Sequence, residues 1–180
     1  MVGDIRNLDF ADASFDAVVA YGGPVSYVRE DYGRALDELA RVCRPGGVLV
    51  LSVMSLWGTH MLVGSLDAEH FLATAEQHVP WPGLLAAPGI VLTVPGSDEF
   101  HLPMALFSST ALRAEIEGRR FDVLRMAAAN PISRIGLSLE RVAANEEAAA
   151  RLEALELAMC EHPGLVDSGE HLIVVGQKGT

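Results

Sequence analysis

The sequence predicts an α/β fold with neighbouring parallel strands, on three observations. Two apolar runs, Phe15–Ala20 and Val48–Val53, have polar or turn-forming borders and the length of buried strands. Between them, Ala35, Leu36, Leu39, Ala40 and Cys43 recur at helical spacing. A third apolar run, His171–Gly176, follows a long helical stretch and supplies a late strand. Strand, helix and strand within so short a span form a βαβ unit, whose two strands are expected to be parallel.

The elements follow from the chain in order. Met1–Ala11 is polar apart from Ile5, Leu8 and Phe10. Tyr21-Gly22-Gly23-Pro24 breaks the first strand. The helix is expected over Asp31–Cys43, with Arg41 and Arg44 in its last turn, where cations suit the helix dipole. Pro45-Gly46-Gly47 is expected to stop it before the second strand. Cys43 would then lie on the helix's apolar side as a buried thiol. Leu66–His78 reads as a further helix. Val79–Val94 is apolar but holds Pro80, Pro82 and Pro88, with Pro95 just beyond, so it reads as an ordered loop or lid rather than a membrane helix. Ser108-Ser109-Thr110 offers capping hydroxyls for a helix from Ala111 to Glu117, and Phe121–Ala128 reads as a third strand closed by Asn130-Pro131. Ser138–Cys160 reads as a long helix with a break at Asn145, ended by His162-Pro163-Gly164.

Composition narrows the function. Half of the 180 residues are hydrophobic, enough for one domain with a real core. Thirteen Lys and Arg against 24 Asp and Glu give a formal charge of −11, which disfavours nucleic acid and anionic membranes as partners. Two cysteines without metal-ligand spacing suit a reduced, cytoplasmic protein. Asp9, Asp12 and Asp16 match no calcium loop, and His70 and His78 have no evident third ligand, so no metal is expected. Ser108-Ser109 lacks the surroundings of a hydrolase nucleophile.

Phe15-Asp16-Ala17-Val18-Val19, followed by Leu39-Ala40-Arg41-Val42-Cys43-Arg44-Pro45-Gly46-Gly47, resembles the middle of a class I S-adenosylmethionine-dependent methyltransferase. The likeness is to the small-molecule enzymes of the ubiquinone and menaquinone type, and Gly3-Asp4 resembles their adenine-contacting acidic turn. Phe107-Ser108-Ser109-Thr110-Ala111-Leu112-Arg113 and Arg120-Phe121-Asp122-Val123-Leu124-Arg125 are similar to a later helix and strand of that family. The resemblance implies a Rossmann-like sheet of family order 4-5-7-6 with the last strand antiparallel, and a lid over residues 56–100 that covers the acceptor.

It also implies S-adenosylmethionine as cofactor, with methyl transfer to a small-molecule acceptor. Asp4 would bond the adenine amino group and Ile5 would lie against the ring. Tyr21, Gly22 and Gly23 would lie under the methionine part, or simply end the strand. His101, before Leu102-Pro103, would take a proton from the acceptor, or serve as a packing histidine. No G-x-G stands before Asp4, so the chain reads as a single, N-terminally truncated methyltransferase domain, expected to bind the cofactor weakly or not at all alone. Two other readings compete. One is a non-catalytic module that pairs through an exposed sheet edge, as a homodimer or with a partner. The other is a different nucleotide-binding α/β enzyme.

Overall fold

The computed structural model describes residues 3–66, 90–92, 104–133 and 139–180. Among these, six strands form one sheet: β1 (Phe15–Ala20), β2 (Cys43–Ser55), β3 (Ile90–Leu92), β4 (Met104–Phe107), β5 (Phe121–Ala129) and β6 (His171–Lys178). The helices are α1 (Pro24–Tyr27), α2 (Tyr32–Val42), α3 (Leu56–Leu66), α4 (Ser109–Gly118), α5 (Leu139–Ala143) and α6 (Glu146–Met159).

The βαβ expectation holds. β1 and β2 are adjacent and parallel, with Val18 opposite Leu49 and Ala20 opposite Leu51. β6 lies antiparallel along the other edge of β2, and β5 pairs antiparallel with β6. The order β1-β2-β6-β5 is the 4-5-7-6 arrangement expected, with the last strand reversed. β4 pairs parallel with Met54 and Ser55 of β2, beyond the end of β1, and β3 pairs with β4. The sequence reading contained neither of these two short strands, nor the helix α3.

Alternation sets the core. Leu49, Leu51 and Val53 of β2 stand beside Gly176, Val174 and Leu172 of β6, and all are buried. α2 lays Ala35, Leu36 and Leu39 on this face, and α4 adds Leu112 and Ile116. From Ser52 to Ser55 every residue of β2 is buried, because strands, turn and helices now cover both faces.

Three local expectations are corrected. Helix α2 ends at Val42, and Cys43 is already extended at φ −74°, ψ 128°. The strand therefore starts before Pro45-Gly46-Gly47 rather than after it. Phe15 pairs with Cys43 but Ala17 pairs with Val48, so Arg44–Gly47 bulge out of the ladder against Asp16. A proline without an N–H fits in that bulge and would not fit in a regular central ladder. Cys43 is buried as expected, but on the strand; burial pushes its thiol up from its ordinary value. Arg44 does not cap the helix; it ion-pairs with Asp16.

Arg41 does sit in the last turn of α2, but its partners lie elsewhere. It donates to Glu38 Oε1 at 2.7 Å, to Asp12 Oδ1 at 2.7 Å, and to the carbonyls of Leu8 and Phe10 at 2.9 and 2.7 Å. Glu38 also accepts the Leu8 N–H at 2.7 Å. These bonds tie the segment before β1 to α2. The Arg41 guanidinium, then the Leu8 N–H, hold the Glu38 carboxyl down at about 2.

One expected cap and one expected break are seen. Ser108 Oγ accepts the Ala111 N–H at 3.2 Å, and Asn145 Oδ1 accepts the Ala148 N–H at 3.0 Å, starting α6 where the break was expected. The expected helix over Leu66–His78 lies, but for Leu66, outside the described residues. So does most of the expected lid over 56–100.

Candidate ligand crevice

The geometry that matters is built where β1 stops and β2 does not. β1 ends at Ala20, while β2 runs four residues past Leu51, its pairing partner, to Ser55. At the end of β1 the chain turns through Gly22 at φ +89° and Gly23 at φ +77°. Both values lie in the left-handed region that glycine tolerates and side chains resist. The N–H groups of Gly22 and Gly23 both donate to Ser52 Oγ, at 2.8 and 3.2 Å. Ser52 is buried on β2, so the turn is fastened to the neighbouring strand. Gly23 then caps α1, accepting from the N–H of Ser26 at 2.9 Å. Ser26 Oγ in turn accepts the Met54 N–H at 2.9 Å. Two serine hydroxyls thus hold the region where β1 leaves the sheet.

The space above the turn is open at one glycine and lined at the other. A Cβ built on Gly22 would meet nothing within 4 Å. One built on Gly23 would stand 3.6 Å from His171 Nε2 and 3.8 Å from Met54 Sδ. Tyr21 is 66% exposed. In an open α/β sheet, the carboxyl ends of parallel strands are where ligands bind.

A groove of about 360 Å³ runs along β1 on the side away from β2, lined mainly by apolar residues that include Ile5, Leu8, Phe10, Val19 and Tyr21. That volume lies within the range of small-molecule sites. The structure therefore brings two of the sequence candidates, Ile5 and Tyr21, to one groove, with Gly22 and Gly23 next in the chain. Asp4 is adjacent but engaged. Its carboxylate accepts from Arg6 Nε at 3.0 and 3.1 Å and from Arg6 Nη2 at 2.7 Å, and Arg6 Nη1 reaches Asp31 at 2.9 Å. The bonds from Arg6 hold the Asp4 carboxyl down at about 2.

His101 lies outside the described residues. The residues that the sequence did not single out are Ser52, Ser26 and His171. Two serines in or near apolar strands carry no local pattern, and His171 is one of six histidines. Only the pairing of distant segments reveals them. Asp12 and Asp16 each pair with an arginine. Among the described residues no group of three or more His, Cys, Asp or Glu is placed to hold a metal ion. No helix among them is long and apolar enough to cross a membrane.

Known proteins resemble the chain in sequence and in fold. Residues 1–51 match the model of a methyltransferase domain family. The chain is 47% identical over 55 residues to the demethylmenaquinone methyltransferase of Mycobacterium sp. (strain KMS), which covers 31% of this chain and 23% of that protein. It is 31% identical over 108 residues to the malonyl-[acyl-carrier protein] O-methyltransferase of Erwinia billingiae, covering 60% of this chain and 38% of that protein. A solved SAM-dependent methyltransferase from Methanosarcina mazei superposes with a TM-score of 0.55 at 16% identity, covering 99% of this chain and 66% of that one. The first 51 residues are thus similar to a methyltransferase domain family, and the chain shares its fold with solved SAM-dependent methyltransferases. It spans less than two fifths of the length of these curated relatives.

Proposed function

We propose that this chain forms the acceptor-side part of an S-adenosylmethionine-dependent methyltransferase acting on a small molecule in the cytoplasm. The observation that carries the reading is the Gly22–Gly23 turn, fastened by Ser52 at the carboxyl end of a parallel strand and joined through Tyr21 to the groove that holds Ile5. The similarity to demethylmenaquinone methyltransferase supports a small acceptor.

The residues present fit the cofactor in part. The space over Gly22 admits close approach to backbone. Tyr21, Gly22 and Gly23 would hold the methionine part, and Ile5 would lie against the adenine. Asp4 suits the adenine amino group only when Arg6 releases one of its oxygens. When bound, the cofactor supplies an activated methyl group on a sulfonium. The chain's own task is then to orient donor and acceptor and to exclude water. His101 stays a candidate proton acceptor from the sequence alone.

Calorimetry on the 180-residue chain tests the reading. The expected result is weak binding of S-adenosylmethionine, well above micromolar, because this chain offers one wall of the cleft. Micromolar affinity would overturn the half-site reading.

One observation favours a second reading, a non-catalytic module that pairs through its sheet edge. In the groove itself, Val19 is 66% exposed and Phe10 42% exposed, an unusual surface for a strand and its approach. Light scattering separates the two: a compact monomer at high concentration counts against the module.

A further inference from the structure

A second element, β6, also reaches the Gly22–Gly23 turn. That strand runs antiparallel to β2, so its first residue, His171, lies at the carboxyl ends of β1 and β2. His171 stands opposite Met54 of β2 and Ala129 of β5. Its half-buried imidazole reaches the turn from across β2, within 3.6 Å of where a Gly23 Cβ would be. The backbone leading to it is pinned. Glu170 donates its N–H to the Ala129 carbonyl at 2.9 Å, and its carbonyl accepts the Ser55 N–H at 3.0 Å. Asp167 accepts from the N–H and the hydroxyl of Ser109, both at 2.6 Å, which ties the same loop to the start of α4. A ring held on so fixed a backbone, facing a glycine turn, has the placement of a working group.

We propose that His171 is a catalytic residue of this crevice, contacting the acceptor and taking the proton that a hydroxyl or amine acceptor loses on methylation. The assignment rests on the methyl-transfer reading above. In the step, a lone pair of the acceptor oxygen or nitrogen forms the bond to the methyl carbon. The bond from that carbon to the sulfonium sulfur breaks, and its electron pair stays on sulfur. The acceptor proton passes to the unprotonated nitrogen of the imidazole. A sulfonium nearby favours the neutral ring, since a cation disfavours a second positive charge. Met54, Ala129 and Gly23 carry no charge. Among the described residues, the titratable groups of the adjoining segments include Asp167 and Glu170 on the loop before β6, Tyr21 before the turn, and His60 on α3.

Histidine-ring and amide NMR on the 180-residue chain, recorded over a pH series, tests this. The probes are S-adenosylhomocysteine, with an uncharged sulfur, and S-adenosylmethionine, each titrated to millimolar concentration. The amides of Tyr21 and Gly22 report arrival of the ligand independently of His171. The expected result is that His171 ring signals move on the same saturation curve as those amides, while His162, exposed on the loop after α6, stays still. The sulfonium should also move the His171 signals further toward the neutral-ring position than the thioether does. If the amides move and His171 does not, the assignment is overturned and the methyl-transfer reading stands. If His171 responds identically to both probes, the proton-accepting role is overturned. If neither amides nor ring respond at millimolar probe, the weak binding expected of this chain is absent and the assignment falls with it.

Discussion

The two edges of β2 are built differently. Along one edge, β6 pairs without interruption from Val48 to Met54. Along the other, β1 pairs as far as Leu51, the chain turns away, and β4 takes over only at Met54 and Ser55. The continuous edge seals the core. The interrupted edge makes room for a crevice, and the hydroxyls of Ser52 and Ser26 take the backbone N–H groups of Gly22, Gly23 and Met54 there. A ligand site of this kind needs no special fold. It needs one strand to end before its neighbour, and polar side chains to hold the loose ends.

The contrast can be broken from the sealed side first. Gly58→Ala would put a Cβ 1.8 Å from the Gly169 carbonyl oxygen and 2.7 Å from its carbon, on the loop that leads into β6. Backbone cannot step aside as a side-chain tip can. The expected loss is more than about 3 kcal/mol, read by urea denaturation. A loss under about 1 kcal/mol would mean that the loop and α3 are not so closely packed.

On the interrupted side, Ser52→Ala leaves the N–H groups of Gly22 and Gly23 without their acceptor. The expected loss is about 1–2 kcal/mol, with faster amide exchange at those two glycines and unchanged exchange along β6. Uniformly faster exchange over the whole sheet would erase the distinction between the edges.

Glu38→Gln probes how the segment before β1 is held. It should cost about 1 kcal/mol at neutral pH. The wild-type carboxyl has its pKa lowered from 4.5 to about 2 on folding. Its contribution is therefore complete above about pH 4.5 and fades as the pH falls toward 2. The difference between the two proteins should shrink over that window. A constant difference would show that the charge of Glu38 is not what clips Leu8 to α2.

The smallest effect is expected at the outer surface. Val19→Thr should change stability by less than about 0.5 kcal/mol, because Val19 is two-thirds exposed. A larger loss, together with a change in light-scattering mass, would favour pairing of chains through that edge.

Much of this was legible in the residues. Alternating or continuous apolar runs marked β1, β2, β5 and β6, and helical spacing marked α2. Ser108 announced its helix because a capping hydroxyl acts on N–H groups only two or three residues away. The Gly22–Gly23 turn was visible as a place where ligands approach, since glycine advertises its backbone freedom locally. β4 was missed because four residues are too few to show a period. The bulge at Arg44–Gly47 was mistaken for a helix stop, because proline and glycine mark both and only the partner strand tells them apart.

By itself, then, the sequence determined the βαβ unit, the parallel pairing of its strands and the glycine turn at its end, since each follows from periodicity and turn chemistry within a few residues. Tertiary structure alone decided that Ser52 fastens the turn and that His171 overlooks Gly23. Those contacts join residues up to 148 positions apart in the chain, and only strand register, a property of the assembled sheet, brings such residues face to face.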